Sequence, residues 1–131
     1  VIRAENRPSS PAEWRRAGDL VAGVVARAFM VPTVELRAPS RSRQPVAYAR
    51  QAALYLLHVV FGGTYQEAGS ALGRERTTVA YACSLIEDDR DEAKFDHKMS
   101  HLEEWIERLW SVEQLRMLRR VKLKQEARAA A

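Results

Sequence analysis

Between Gly73 and Asp89 the chain reads GRERTTVAYACSLIEDD, a stretch whose chemistry is hydrogen bonding. Arg74 and Arg76 carry guanidinium groups, Thr77, Thr78, Tyr81 and Ser84 carry hydroxyls, and Glu75 adds a carboxylate. Val79, Ala82, Cys83 and Ile86 recur at i, i+3, i+4 and i+7, which predicts a helix over about 75–88 with these four turned inward. At 100° per residue the opposite side holds Thr77, Tyr81 and Ser84, with Ala80 beside them. A routine solvated face would carry Glu and Lys there. Small hydroxyls next to guanidinium groups suit the binding of anionic oxygens and polar edges better than the making or breaking of covalent bonds.

Such a stripe is compact enough to enter a DNA major groove. Threonine methyls can meet thymine methyls there, and hydroxyls can bond base edges or phosphates. Free amides at the helix start, with Arg74 and Arg76, add a phosphate site. The alternative is local, with Thr77 and Thr78 simply capping and starting a helix. Upstream, RAPSRSRQPVAYAR carries four arginines and no acid between Arg37 and Arg50. It reads either as a solvated linker or as an arm for a minor groove, whose negative potential attracts arginine.

Other chemistries find no set of residues. Cys83 lies on the inward face with no base in sight, so it is not expected to act as a nucleophile. His97 and His101 stand at i, i+4, but no third ligand accompanies them, so no metal is expected. There is no G-x-x-x-x-G-K-[ST] stretch, so these residues offer no loop to cradle ATP. A single cysteine excludes an internal disulfide and suits a reducing compartment. No apolar run approaches the ~20 residues of a membrane span, and no signal peptide is evident. The chain opens on Val1 rather than Met, which raises the expectation that a preceding piece has been removed.

The elements that must position the stripe are helices. All five prolines lie at or before Pro45 and the last glycine is Gly73, leaving 58 residues with neither. No segment alternates like a half-buried strand, so the fold class is all-α, a helical bundle containing a helix-turn-helix. Residues 1–10 read as a flexible lead, 11–110 as the helix-turn-helix domain, and 111–131 as a basic helical extension. Pro11 starts a helix that Pro32 ends, TVELR forms a short second one, and Pro45 opens a long apolar third that Gly62-Gly63 stops. Thr64 and Glu67 form a capping box for a short fourth helix through Leu72. Gly73 turns the chain into the fifth, a sixth spans about 91–110, and Ser111 with Gln114 is expected to cap a seventh.

Charge is segregated along this order. The net charge is +4. Eight acids against three bases lie between Ile86 and Trp105, and six bases against one acid between Leu115 and Ala131. The pattern suggests one face turned to phosphates and another turned away.

From about Leu20 to Leu109 the chain resembles the C-terminal DNA-binding domain (domain IV) of the bacterial replication initiator DnaA. The resemblance rests on GRERTTVAYAC, which is similar to that family's signature. RSRQPVAYARQAALYL is similar to its basic loop and long helix, and TYQEAG to the short helix before the turn. It implies that Arg41, with Arg43 beside it, enters the minor groove, and that Arg50 and Gln51 hold phosphates. Glu75, Arg76 and Thr77 would read bases, with Tyr81 on the same stripe. Thr78 would contact phosphate, in company with Arg74 and Ser84. Departures accompany it: Arg76 stands at a histidine position and Glu75 at an aspartate, and one glycine of the turn is missing. Leu85 replaces a basic residue, His58 a lysine, and Tyr48-Ala49 an Arg-Pro pair.

The expectation is a stand-alone, sequence-specific double-stranded DNA-binding regulator of transcription, probing the major groove with 75–88 and the minor groove with 37–44. It would act in the bacterial cytoplasm, on the nucleoid, without cofactor, ATP or membrane. The DnaA-like module of gene transfer agent activators is similar, which favours activation. The alternative is an adaptor in replication control whose domain binds a protein. The basic extension has three candidate roles: added DNA contacts, pairing with a second copy, or docking on RNA polymerase or another regulator.

Overall fold

The computed structural model describes residues 1–39 and 44–131, and among these it contains helices and turns but no strand. Five α-helices succeed one another: α1 Pro11–Phe29, α2 Gln44–Phe61, α3 Tyr65–Leu72, α4 Arg76–Asp89 and α5 Ala93–Ala130. A 3₁₀ turn, Thr33–Leu36, stands where the sequence suggests a short helix.

Helix α2 is the centre of the molecule. Its run from Ala52 to Leu57 is buried without interruption, so it is apolar all round and must be enclosed by its neighbours. Helix α5 lies beside it in the same direction. Tyr48 near the start of α2 meets Phe95 near the start of α5, with ring centroids 5.8 Å apart. Phe61 at the end of α2 meets Trp110 edge-on at 5.1 Å.

Local rules set the helix ends. The Ser10 hydroxyl accepts from Glu13 N at 3.2 Å, and Pro11 occupies the first turn, where a missing N–H costs nothing. The capping box forms as expected. Thr64 N donates to Glu67 Oε1 at 2.9 Å and Glu67 N to Thr64 Oγ1 at 3.1 Å. Gly73 takes φ +68°, and its N–H and that of Arg74 close the end of α3.

Two expectations fail. Residues 1–10 are not a loose lead: Ile2 is buried and its N–H donates to Val60 O at 2.9 Å, while Asn6 O accepts from Trp110 Nε1 at 2.7 Å. A buried indole N–H needs a partner, and this segment supplies it. Nor is there a break at Ser111. The Ser111 hydroxyl donates back to Glu107 O at 3.0 Å and Gln114 Nε2 to Asn6 O at 3.4 Å, so neither caps anything. Without Gly or Pro, residues 93–130 continue as one helix, about 57 Å long.

Arg90, in the turn between α4 and α5, joins that corner together. It donates to Asp96, Glu103, Ser100 Oγ and Tyr55 Oη. Burial alone would lower its pKa, but these bonds raise it above the ordinary value.

Helices α1 and α3 approach so closely that only glycine fits at one contact. A Cβ on Gly18 would lie 2.1 Å from Ala71 O, whereas one on Gly23 would meet nothing within 4 Å. Gly18→Ala should therefore destabilise the fold by at least about 1–3 kcal/mol. Gly23→Ala should be neutral or stabilise it by up to about 1 kcal/mol, from helix propensity. Denaturant titration of the two variants beside the parent measures both.

Candidate nucleic-acid interface

The surface that gathers the candidate residues lies at the N-terminal end of α2. Helix α3 is held on α1, and α4 is held on α2 and α3 through Val79, Ala82, Cys83 and Ile86, all buried as their spacing predicts. Gly69 permits the tight turn between α3 and α4, since a Cβ there would stand 2.3 Å from Arg74 O. Glu75, Arg76, Thr77, Thr78, Tyr81 and Ser84 are all exposed, and Tyr81 keeps 65% of its surface open.

The local reading of the two threonines does not hold. Helix α4 starts at Arg76, so its cap position is Glu75, which makes no side-chain capping bond. Among the described residues, neither the Thr77 nor the Thr78 hydroxyl has a hydrogen-bond partner, and Arg76 has no ion-pair partner. The first-turn amides of α4 thus have no side-chain cap, and the groups around them point outward.

Arg50 and Arg74 converge on residues 35–38, the segment that leads toward α2. Arg50, only 9% exposed, donates through Nε to Leu36 O at 3.0 Å and through Nη2 to Glu35 O at 2.6 Å. Arg74 Nη2 donates to Ala38 O at 2.5 Å. Burial lowers the pKa of both, and the nearby charge of Arg74 lowers that of Arg50 further. Two like charges have thus been brought together at the base of the 37–44 loop. Gln51 is half-buried on the same turn of α2.

The basic loop divides. Arg37 Nη2 pairs with Asp19 Oδ1 at 2.7 Å and also bonds Arg15 O, which ties the loop's first arginine to α1. Arg41 and Arg43, the expected minor-groove residues, lie outside the described residues.

Sequence reasoning missed the carbonyls of Glu35, Leu36 and Ala38 as arginine partners. Backbone oxygens carry no residue-type signature, so nothing in the chain could have announced them. Two departures from the DnaA pattern do find structural work. Tyr48 Oη donates to Asp89 Oδ2 at 2.6 Å, tying α2 to the end of α4, and burial with that bond raises its pKa well above the ordinary value. His58 Nδ1 donates to Gly63 O at 2.8 Å, and its ring packs on Tyr65.

Cys83 sits at the back of α4. Burial first, and the charge of Glu87 second, push its thiol from 9.0 up to about 11. Among the described residues no group of three or more His, Cys, Asp or Glu is placed to hold a metal, and no helix is long and apolar enough to cross a membrane.

Residues 19–86 match the family described as the bacterial dnaA protein helix-turn-helix. Relatives named chromosomal replication initiator protein DnaA 2 are similar over 78 residues. That of Chlamydia pneumoniae is 35% identical, covering 60% of this chain and 17% of the relative. Those of Chlamydia trachomatis (serovar D) and Chlamydia muridarum are 32% identical, with the same shares. The match thus spans about one sixth of the length of these relatives.

The Cys83 environment makes a test of the packing behind α4. Its raised pKa means that the folded state holds the proton more tightly than the unfolded state. That contribution to stability is full below about pH 9 and is lost as pH climbs through 11. Alkylation of the native protein near pH 8 should accordingly be at least about tenfold slower than in denaturant. Equal rates would mean that the back of α4 is open.

Proposed function

The chain belongs to the family of the bacterial DnaA helix-turn-helix, and on that premise we propose that it is a sequence-specific double-stranded DNA-binding protein that regulates transcription. The observation that carries the reading is the start of α4. An uncapped helix N-terminus presents Glu75, Arg76 and Thr77 outward with no internal partner for the hydroxyl, beside the paired arginines Arg50 and Arg74.

In this reading the first turn of α4 enters the major groove. Thr77 and Arg76 meet base edges, Glu75 accepts from an exocyclic amine such as that of cytosine, and Tyr81 packs along the groove wall. Thr78, Ser84 and Gln51 hold the flanking phosphates. Arg50 and Arg74 make the 35–38 backbone a rigid base for the loop, and their combined charge attracts phosphate to it. The loop arginines Arg41 and Arg43 track the backbone into the adjacent minor groove. A role at promoters, through contacts with RNA polymerase or another regulatory protein, is part of this reading.

Arg76 sets what is read. Its planar fork can make two parallel bonds to guanine O6 and N7, worth about 1–3 kcal/mol of discrimination against another base. The preferred site should therefore carry a guanine where a DnaA box presents thymine to histidine. Selection from random duplexes with wild type and Arg76→His in parallel should enrich different motifs, the variant moving toward the DnaA box. Identical motifs from both would remove Arg76 from base reading.

Phosphate contact has its own signature. With roughly four to six neutralised phosphates, log affinity should fall against log salt with a slope of about −4 to −5. Thr77→Ala should cost about 1–3 kcal/mol on the selected site and much less on random DNA. A flat salt titration, or an equal loss on both DNAs, would contradict the arrangement.

A further inference from the structure

The family match ends at Ile86, so nearly all of the chain beyond that residue has no assigned role. Because α5 runs beside α2 in the same direction, it starts near the candidate DNA surface and leaves the body at the opposite pole, past Trp110. From Ser111 to Ala130 it extends about 30 Å further into solvent.

Charge is divided at the same point. Residues 1–110 hold fifteen bases and fifteen acids, and residues 111–131 hold six bases and two acids. The chain's whole net charge of +4 therefore sits on the projecting helix. Four of its cations, Arg116, Arg120, Lys124 and Arg128, recur every fourth residue. At 100° per residue each step turns by about 40°, which keeps all four in one sector of about 120° along about 18 Å of axis. All four are exposed, and among the described residues none has an ion-pair partner. Of the two acids, Glu113 pairs with Arg16 Nη2 of the body at 3.5 Å. Glu126 lies on the far side of the helix from the row. Like charges four residues apart oppose helix formation, so the row costs the helix stability that nothing in the domain repays.

We propose that this row holds the phosphates of a second DNA duplex, apart from the one that α4 would bind. That the polyanion is DNA rests on the reading proposed above, and the form of the helix agrees with it. About 18 Å of duplex carries about ten phosphate charges. A lone helix about 10–12 Å across also fits a major groove about 12 Å wide. An anionic membrane suits the helix less, because lying in an interface requires one apolar side. Val112, Leu115, Leu118 and Val121 recur every third residue and swing through about 180°, with Lys122 between the directions of Leu115 and Leu118. The row begins about 35 Å along α5 from the pole where α4 opens. That spacing separates the two contacts, so one chain bridges two duplex segments. Backbone contacts of this kind add affinity without reading sequence.

Titration with a short duplex of random sequence (about 16 base pairs) at low salt, followed by sedimentation, counts the duplexes held per chain. Wild type should hold two. Arg116→Gln/Arg120→Gln/Lys124→Gln/Arg128→Gln should hold one, since glutamine keeps the helix and removes the charge. Arg119→Gln/Lys122→Gln, which lies off the row, should still hold two. Affinity for the second duplex should fall with salt at a log–log slope of about −3 to −4, as four phosphates require. Two duplexes on the four-residue variant overturn the proposal, as does a second duplex that both variants lose alike, which would assign it to net charge rather than to the row. So does a single duplex per chain that the four-residue variant keeps. If that variant meanwhile loses binding to vesicles of phosphatidylcholine and phosphatidylserine that wild type shows, the row belongs to a membrane instead. A single duplex that the four-residue variant loses entirely supports the row and counts against the α4 reading alone.

Discussion

The apolar circumference of α2 is the constraint on which the rest of the structure depends. A helix with no polar side through its middle cannot lie on a surface, so α1, α3, α4 and α5 must surround it. Its first turn is exposed at Gln44 and Pro45, where the sequence turns polar, with Gln51 half-buried and the Arg50 guanidinium drawn in beneath them, while at its far end His58 and Val59 are half-buried. The place where polar groups can gather is therefore decided by where the hydrophobic run of α2 begins.

At that place the molecule accepts an unusual arrangement. Two guanidinium groups are partly buried, near each other, and bonded to backbone carbonyls of one short segment. Removing a cation from water is costly unless its donors find acceptors, and the carbonyls of Glu35, Leu36 and Ala38 meet that need. The segment leading into the loop is thereby fixed against both α2 and the α3–α4 turn. The same region leaves α4 without a cap, so its first turn is open to an external partner.

The parallel course of α2 and α5 gives the protein two poles. One gathers the arginines and the open end of α4, and the other emits a long helix whose acids and bases are sorted by position. Arg90 holds the start of α5 through Asp96, Glu103 and Tyr55, while Trp110 and Asn6 hold the point where it departs. The helix is thus fixed along its acidic stretch and free along its basic one.

Much of this was legible in the sequence because it depends on local rules. The inward set Val79, Ala82, Cys83 and Ile86 came from helical period alone, and the Thr64–Glu67 box and the Gly73 turn from the hydrogen-bonding needs of helix ends. The helix-turn-helix and its family came from the same stretch. What only the tertiary structure decided concerns groups that gain partners far away in sequence. Residues 1–10 look featureless until Trp110 and Val60 are there to bond them. Ser111 and Gln114 match a capping pattern, but the helical carbonyl of Glu107 and the distant Asn6 outcompete it. Tyr48, a departure from the family when read in sequence, becomes a tie to Asp89 once α4 crosses α2. Arg50 and Arg74 were visible as cations, but their hold on three backbone oxygens was not, because a carbonyl belongs to every residue and its availability depends on the path of the chain through space.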